Sequence, residues 1–369
     1  MYIENDLVRI AKRENNKVRP YLVVNQLQGK HIPVSPSTAI QMFQQLGNLI
    51  ETNYKKEKLL MIGFAETATA IGAAIATQVG GYYIQTTREQ IEDVDYLYFT
   101  ESHSHATEQK LVKDDISLVI HKIDRIIFIE DEITTGNTIM NLIRLLKKEY
   151  QKNLKFSVAS LLNGMNEEAK SIYEEHDIPT HFLVKTIHDS YETKIETVED
   201  NGIYHKPDCK IGSHTYQELV CVDYLNARRM VLGKDYLKAC ENLWLQIHSK
   251  IDLEQHKNIL VLGTEEFMYP ALFVAEQIEQ LGKMVRFHAT TRSPIVVSKD
   301  VNYPLHVRYQ LASVYKEDRT TFVYDLDQYD TVLILTDSTY DNRDGLYGMI
   351  NALHTCGNSN ICYIRWCER

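Results

Sequence analysis

Carboxylates stand at the end of an apolar run, and a small loop that contains threonines and a glycine follows them. Residues 126–138 read IIFIEDEITTGNT. Hydroxyls and backbone N–H groups at the start of a helix suit a phosphate monoester, and the helix dipole adds to their attraction. The carboxylates of Glu130 and Asp131 can accept hydrogen bonds from vicinal hydroxyls such as those of a ribose ring. One stretch thus predicts recognition of a phosphorylated sugar, although the GxxxxGK[ST] spacing of a Walker loop is absent.

A βα alternation positions this segment. Short apolar runs predict strands at 21–25, 59–62, 82–85, 96–100, 125–129, 156–161 and 181–184. Helical patterns between them, clearest at 67–79 and 137–150, imply a parallel sheet that is covered on both faces. The pattern breaks down between about 187 and 235 and then returns, with strands predicted at 258–262, 284–288, 321–324, 331–336 and 361–364. The fold class is therefore α/β, in two domains.

Composition limits the classes of function. The chain has 369 residues and a formal net charge of −10, which argues against broad neutralisation of nucleic-acid phosphates. It does not exclude a local basic pocket for a phosphorylated ligand. No apolar signal segment begins the chain and no run approaches the ~20 residues of a spanning helix, so we expect a cytoplasmic protein without membrane or nucleic-acid partners.

The cysteines do not pair as CxxC. A secreted disulfide scaffold or a zinc ribbon would look different, so the six cysteines are expected to be buried reduced thiols. The alternative is a metal site formed by Cys356, Cys362 and Cys367 with His354. Buried thiols are the simpler expectation.

The segment 126–138 resembles the thirteen-residue signature of the type I phosphoribosyltransferases, which bind phosphoribosyl pyrophosphate (PRPP). The resemblance implies a parallel sheet with flanking helices and an N-terminal hood. It also implies Mg²⁺ as cofactor, bound at Glu130 and Asp131 mainly through water and PRPP, while the two carboxylates hold the ribose hydroxyls. The 5-phosphate would be bound by Thr134, Thr135, Gly136, Asn137 and Thr138. Glu130 stands where the family commonly has Asp, and we expect this longer side chain to be tolerated.

Two further segments carry the same resemblance. In the family, the loop after the first core strand holds pyrophosphate with its backbone amides; here that loop is Ala65, Glu66, Thr67 and Ala68, after Gly63. Arg88 follows the next strand and is expected to face pyrophosphate charge, the alternative being an ordinary surface arginine.

Family members also carry a mobile loop that closes over the reacting ligand and excludes water. Here the loop corresponds to 101–107, which reads ESHSHAT. His103 and His105 are candidates to bind leaving oxygens or shuttle a proton, unless they only make the loop polar. A zinc site at this HSH segment lacks obvious further ligands.

The resemblance extends over nearly the whole chain. Residues 29–36, GKHIPVSP, with Arg19 before them, resemble the hood of a branch associated with bacterial tellurite-resistance and stress gene clusters. Members of that branch carry a C-terminal TRSP domain, named after a motif found here at 291–294. We therefore predict a phosphoribosyltransferase domain at 1–190, a connector or irregular cap at 191–235 and a TRSP domain at 236–369, in a homodimer. Because the family's hood selects the nucleobase, Lys30 and His31 are acceptor candidates, unless they are merely exposed strand-end residues.

The second half repeats features of the first. Residues 59–66 align with 259–266 at an offset of 200, 86–88 with 290–292 at 204, and 124–131 with 330–337 at 206. The hypothesis is that the TRSP domain is a divergent copy, the alternative being convergence between βα units. TDSTYDNR at 336–343 replaces the signature, so no second PRPP turnover is expected. A pocket for a different small molecule or the product is predicted at Glu265, Glu266, Arg292 and Asp337.

The resemblance implies an enzyme of nucleotide metabolism. It would transfer the 5-phosphoribosyl group of PRPP to a nitrogen of a base-like acceptor and release pyrophosphate. A regulator that binds PRPP or a nucleotide without turnover is the alternative, because the fold does not fix the function. Cleavage of a nucleotide by pyrophosphate would use the same residues, so the direction of the reaction stays open.

Overall fold

The computed structural model describes residues 2–16, 18–99, 109–210, 212, 214–340 and 343–368, which form two compact units. Unit 1 comprises residues 40–187 and 225–238 with the first four positions, and unit 2 comprises 5–39, 188–224 and 239–369. These units cut the chain differently from the domain division at 190 and 235, which stays a prediction.

The described residues form these helices and strands. The α-helices are α1 (Glu4–Leu7), α2 (Pro36–Tyr54), α3 (Thr69–Val79), α4 (Lys113–Val119), α5 (Asn137–Glu149), α6 (Glu167–Glu175), α7 (Tyr191–Glu196), α8 (Gly233–His248), α9 (Tyr269–Gln280) and α10 (Asp344–Thr355). The strands of the first half are β1 (Val8–Lys12), β2 (Tyr21–Asn25), β3 (Leu59–Gly63), β4 (Tyr82–Gln85), β5 (Tyr96–Phe99), β6 (Gln109–Val112), β7 (Arg125–Ile133), β8 (Lys155–Asn163) and β9 (Thr180–Lys185). Those of the second half are β10 (Ile203–His205), β11 (Gln217–Cys221), β12 (Val231–Leu232), β13 (Asn258–Gly263), β14 (Met284–Ala289), β15 (Val307–Ala312), β16 (Thr320–Tyr324), β17 (Thr331–Thr336) and β18 (Ile361–Trp366).

Unit 1 is built on a six-stranded sheet in the order β12-β4-β3-β7-β8-β9. Only the short edge strand β12 runs antiparallel to its neighbour. The side chains of β3 and of the first five positions of β7 are all buried. Such near-continuous apolar strands are typical of a parallel sheet covered on both faces, which confirms the predicted α/β class.

Unit 2 contains a second parallel sheet, in the order β11-β18-β17-β13-β14. A three-stranded sheet β10-β15-β16 and the hairpin β1-β2 complete the unit. An apolar core lies among β13, β17, β15 and α10, with Leu260, Val332 and Ile350 fully buried.

The N-terminal segment packs in unit 2. A bridge joins Arg13 to Ile295, and the Tyr303 hydroxyl accepts a hydrogen bond of 2.8 Å from the Lys12 amide. Ala11 and Val24 lie in one apolar cluster with residues of the second half, including Ile295. These long-range apolar contacts explain why residues 5–39 group with the second half of the chain.

Several predicted boundaries differ from the structure. Strand β7 continues to Ile133, four residues beyond the predicted end, so the carboxylates belong to the strand itself. The stretch 191–235 is not irregular throughout: it holds α7 and the strands β10, β11 and β12. These strands have two to five residues and each adds to one edge of a sheet, so no alternating pattern marks them in the sequence.

Candidate functional site

The carboxyl ends of β3, β4 and β7 meet at one edge of the unit 1 sheet. Gly63 pairs with Gln85 on one side and with Ile129 on the other. The chain passes from β3 to β4 on one side of it and later returns to β7 on the other side, so the strand order reverses at β3. Ligands of open α/β sheets bind outside the strands' carboxyl ends at such a point. The segments that follow Gly63, Gln85 and Ile129 are the two motifs and the Arg88 segment predicted from the sequence.

The loop 64–68 is held in place by hydrogen bonds from several neighbouring residues. The Phe64 amide donates to the Ile129 carbonyl at 3.1 Å, and the Ala65 amide donates to Thr86 Oγ1 at 2.8 Å. Gln109 Nε2 donates to the Ala65 carbonyl at 2.8 Å, and its Oε1 accepts from Thr86 Oγ1 at 2.6 Å. The peptide between Ala65 and Glu66 is cis. Thr86 and Gln109 thus fix the loop backbone.

Gln109 was missed by sequence reasoning. It is the first residue of β6 and is almost fully buried. Its contact with Ala65 spans 44 positions, so no local pattern points to it. In the sequence Gln109 is followed by Lys110 and by only two apolar residues, so the segment carries no clear strand signal.

Gly63 lets the helix that follows the loop approach the strand end. A Cβ at Gly63 would lie 2.7 Å from the Tyr83 hydroxyl oxygen and 3.1 Å from the Ala68 carbonyl oxygen. A Cβ at Gly72, on α3, would lie 3.0 Å from the Gly63 Cα. Both glycines are therefore required by the close packing of α3 on β3, which sets where the loop amides lie.

Asp131 is linked to the first loop. The Thr67 side chain hydrogen-bonds to its carboxylate, which favours the charged form. Burial and then the charge of the neighbouring Glu132 act more strongly in the opposite direction, so the pKa of Asp131 is raised. The structure therefore brings one residue of each predicted motif together.

The loop 134–138 leads into α5 through a left-handed residue. Gly136 has φ +69°, and the Tyr173 hydroxyl donates to its carbonyl at 2.7 Å. A Cβ at Gly136 would lie 2.5 Å from that hydroxyl oxygen, so glycine is required. Helix α5 begins at Asn137, whose amide lies 3.4 Å from Thr135 Oγ1. The first-turn amides of α5 are therefore separated from the end of β7 by only three residues, and a helix N-terminus is a suitable place for an anion.

Glu130 lies beside the same tyrosine. Burial raises the pKa of Tyr173, and the negative charge of Glu130 adds to the effect. Glu130 is itself half-buried, as are Asp131 and Glu132. Three consecutive carboxyl groups at a strand end create a negative region that favours a bound cation.

The three remaining candidates of the first half of the chain, Arg88, His103 and His105, have different outcomes. Arg88 is half-buried and follows Thr87, whose amide and carbonyl exchange hydrogen bonds of 2.9 and 3.0 Å with Lys110. It therefore lies at the same sheet edge, next to β6, as predicted from its place after β4. His103 and His105 lie outside the described residues.

The donor set fits Mg²⁺ held together with a ligand. Among the described residues, no group of three or more His, Cys, Asp or Glu side chains could hold a metal ion. Glu130 and Asp131 nevertheless offer carboxylate oxygens beside the two loops. Mg²⁺ commonly binds one or two carboxylates and completes its shell with water and substrate phosphates.

Lys30 and His31 are buried in unit 2 rather than exposed at a strand end. The Lys30 ammonium donates to the carbonyls of Glu265 and Thr290, both at 2.8 Å. The alternative that Lys30 and His31 are merely exposed strand-end residues is therefore wrong. Contact of either residue with an acceptor stays a prediction.

The four candidates of unit 2 lie at the corresponding edge of its own sheet. Glu265 and Glu266 follow β13, Arg292 follows β14 and Asp337 follows β17. Arg292 lies 2.9 Å from the Glu266 carboxylate, and both Asp337 oxygens accept tyrosine hydroxyls, Tyr224 and Tyr315, at 2.7 Å. The structure brings these residues to one edge, and their role as a pocket stays a prediction.

Two family models match the chain. Residues 7–188 match the family described as "Phosphoribosyl transferase", and residues 233–353 match the "TRSP domain C terminus to PRTase_2". The chain belongs to the phosphoribosyl transferases that carry a C-terminal TRSP domain. The α/β class of this phosphoribosyl transferase and its two-part architecture are therefore as the sequence predicted.

Solved structures with similarity to this phosphoribosyl transferase include adenine phosphoribosyltransferases. The enzyme from Trypanosoma brucei is 14% identical over 48% of this chain and 76% of its own, with a TM-score of 0.34. That from Rhodothermus marinus is 14% identical over 49% and 96%, with a TM-score of 0.34. An orotate phosphoribosyltransferase from Aeropyrum pernix is 13% identical over 52% and 93%, with a TM-score of 0.31. At such values they add nothing to the assignment, and no curated protein matches the chain.

Within the part of the chain that the structure describes, no helix of this phosphoribosyl transferase combines the length and apolar character needed to span a membrane.

Proposed function

We propose that the chain transfers the 5-phosphoribosyl group of PRPP to a nitrogen of a base-like acceptor and releases pyrophosphate. The observation that carries the proposal is the contact between the Thr67 side chain and Asp131. It joins an amide-rich loop and a carboxylate pair at one sheet edge, and the helix N-terminus after Gly136 stands at the same strand. A ligand with a diol and a phosphate group at each end matches these three features.

The residues have separate roles in this proposal. The Glu66 and Thr67 amides of the loop 65–68 and the cation of Arg88 bind pyrophosphate, because the Ala65 and Ala68 amides donate to Thr86 Oγ1 and to the Phe64 carbonyl. Glu130 and Asp131 accept hydrogen bonds from the ribose 2- and 3-hydroxyls. Hydroxyls and amides of 134–138 bind the 5-phosphate at the start of α5. Mg²⁺, when bound, neutralises charge that grows on the leaving pyrophosphate.

The reaction requires positioning rather than a protein nucleophile. The bond between the ribose C1 and the pyrophosphate oxygen breaks, and pyrophosphate leaves with the electron pair. The acceptor nitrogen then bonds to C1 and loses its proton. The fixed loop, held by Thr86 and Gln109, presents its donors without reorganisation as charge develops. We also propose that His103 and His105 bind leaving oxygens or shuttle a proton.

Calorimetric titration with PRPP and Mg²⁺ tests the donor site. Asp131→Asn removes the charge that accepts from Thr67 and from the ligand, and hydrogen bonds to charged groups contribute ~1.5–3 kcal/mol. We expect at least a tenfold rise in Kd. Asp337→Asn, at the aligned position of the second unit, is the matched control and should bind as wild type does. Equal binding by wild type and Asp131→Asn would refute the assignment.

Release of pyrophosphate distinguishes an enzyme from a regulator. Wild type is incubated with PRPP, Mg²⁺ and single purines, pyrimidines and other nitrogen bases, and pyrophosphate is measured. Release with one base identifies the acceptor, and Asp131→Asn should abolish it. Saturable PRPP binding without release for any base would favour the regulator. The homodimer, the cytoplasmic location and a link to tellurite or stress stay predictions.

A further inference from the structure

The TRSP-containing unit repeats the strand order of unit 1. The order β4-β3-β7-β8 in the first sheet corresponds to β14-β13-β17-β18 in the second. Along the chain, the antiparallel pair β5–β6 lies between β4 and β7 in unit 1. The antiparallel pair β15–β16 lies between β14 and β17 in unit 2. Each sheet has a fifth parallel strand: β9 borders β8, and β11 borders β18. In the chain, β9 comes after the other parallel strands of its sheet, whereas β11 comes before those of its own.

The pairing register is repeated as well. Leu60 pairs with Tyr82 and Ile126, and Leu260 pairs with Arg286 and Val332. The residue shifts are 200, 204 and 206, the same offsets that align the two halves of the sequence. Convergence on a common βα unit would not preserve register in three strands, so these observations favour duplication over convergence.

The backbone after the first strand is also held in the same way. The Glu265 amide donates to Thr290 Oγ1 at 2.9 Å, and the Thr290 amide donates to the Gly263 carbonyl at 3.0 Å. In unit 1 the same two bonds measure 2.8 and 2.9 Å and involve the aligned residues Ala65, Thr86 and Gly63. The loop proposed to bind pyrophosphate in unit 1 therefore has a structural counterpart in unit 2.

The two loops share only one side chain, Glu66 in unit 1 and Glu266 in unit 2. Glu265 stands where unit 1 has Ala65, and its carboxylate is only 1% exposed. It accepts from Arg319 Nη1 at 2.9 Å and from the Ser313 hydroxyl, and it lies 3.7 Å from Arg292 Nε. Arg292 aligns with Arg88, the cation expected to face pyrophosphate. Arg292 and Arg319 thus surround an internal carboxylate.

We propose that the Glu265 carboxylate occupies, in unit 2, the position at which unit 1 binds an anionic ligand phosphate. Unit 2 then contains an anion site that the chain itself fills, and the site takes inorganic phosphate or pyrophosphate once the carboxylate is removed. The comparison with a ligand phosphate rests on the proposed function of unit 1. The pairing of Glu265 with Arg292 and Arg319 within unit 2 does not depend on that function.

The physical reason is tethering. The side chains of Arg292 and Arg319 are 11% and 16% exposed, so each guanidinium requires an anion close by. A carboxylate on the same chain meets them at a high effective concentration and excludes free anions. Glu266 pairs with Arg292 from a second position at 2.9 Å, whereas Arg319 Nη1 donates to Glu265 itself at 2.9 Å, so Arg319 is the cation chosen for the control variant.

Titration with inorganic pyrophosphate tests the proposal in the full chain. Wild type, Glu265→Ala and Glu265→Gln are titrated by calorimetry at low ionic strength, after far-ultraviolet circular dichroism and a cooperative melt have established folding. We expect one more pyrophosphate site per chain in Glu265→Ala than in wild type. Glu265→Gln preserves the side-chain shape and removes the charge, so it carries the test if the alanine variant does not fold.

The control is the double variant Glu265→Ala with Arg319→Ala. It should lose the added site, because the cation that remains, Arg292, is already paired with Glu266. A folded single variant without an added site would overturn the proposal, and so would an added site that persists in the double variant. Binding by wild type reports on the proposed function of unit 1, whereas the increase over wild type reports on unit 2, so the two failures are distinguishable.

Discussion

The Thr67 side chain hydrogen-bonds to the Asp131 carboxylate, 64 positions further along the chain. One residue belongs to the loop after β3 and the other to the end of β7. The bond connects the part of the site proposed for pyrophosphate with the part proposed for ribose. It favours a charged Asp131 against the effect of burial, and it fixes the side chain from one direction.

Thr67→Val tests this bond. The variant keeps the shape of the side chain but removes the hydroxyl donor, so Asp131 is less well oriented for the ligand. Loss of a hydrogen bond to a charged group costs ~1.5–3 kcal/mol, and we expect the Kd for PRPP to rise about tenfold or more. Thr67→Ser retains the hydroxyl and should bind nearly as wild type does. Unchanged calorimetric affinity in Thr67→Val would contradict the role assigned to the bond.

Gly136→Ala is expected to disrupt the phosphate loop. The new Cβ would meet the Tyr173 hydroxyl at 2.5 Å in a left-handed backbone conformation. Gly282→Ala is the matched control, since Gly282 also has a positive φ but its Cβ would meet nothing within 4 Å. Strain at a special φ costs of order 1–3 kcal/mol. Urea unfolding should show a larger loss of stability for Gly136→Ala, and only this variant should lose PRPP binding.

Lys30→Met distinguishes a structural lysine from an acceptor contact. The ammonium donates to two buried carbonyls, so its removal leaves both without that donor, and each unsatisfied group costs ~1–3 kcal/mol. We expect a clear drop in the free energy of unfolding. Lys12→Met is a comparison variant, because Lys12 Nζ makes a single carbonyl contact at 3.4 Å. A stable Lys30→Met protein with a raised KM for the acceptor alone would instead support the acceptor role.

Because His288 is buried, we expect the stability of unit 2 to depend on pH. Burial lowers the pKa of His288 to about 4, and the positive charge of Lys30 acts in the same direction. Hydrogen bonds with the carbonyls of Gly29 and Tyr324 favour the protonated form but do not outweigh burial. In the unfolded chain the imidazole takes up a proton near its ordinary pKa of 6.5. The unfolded state therefore binds more protons between pH 6.5 and 4, and stability falls as pH is lowered through that range.

The largest loss in the free energy of unfolding, reached below pH 4, is about 3 kcal/mol. Urea unfolding of wild type at pH 7.5 and at pH 5 should show the loss, and His288→Gln should show a smaller difference between the two pH values, whatever its absolute stability. An equal pH difference in wild type and His288→Gln would mean that His288 is protonated equally in the folded and unfolded chains.

Local sequence determined the central motif. Residues 126–138 predict a buried strand, an acidic end and a hydroxyl-rich loop before a helix, and the structure has β7, the loop and α5 in that order. Apolar periodicity and turn chemistry act over a few residues, so a single segment carries them. The carboxyl ends of parallel strands share an edge, so the segments after Gly63, Gln85 and Ile129 are also predicted to lie together, although β7 itself continues to Ile133.

Only the tertiary structure decided what holds these segments. Gln109 binds the carbonyl of Ala65, and Lys30 lies buried against carbonyls 235 and 260 positions away. Neither contact has a local pattern, because a hydrogen bond between distant segments depends on how strands pair and not on spacing along the chain. The sequence alignment of the two halves suggested a copy, but the shared register and the pairing of Glu265 with Arg319 required the folded chain. Packing, not residue type, makes Glu265 an internal partner for an arginine where unit 1 has Ala65.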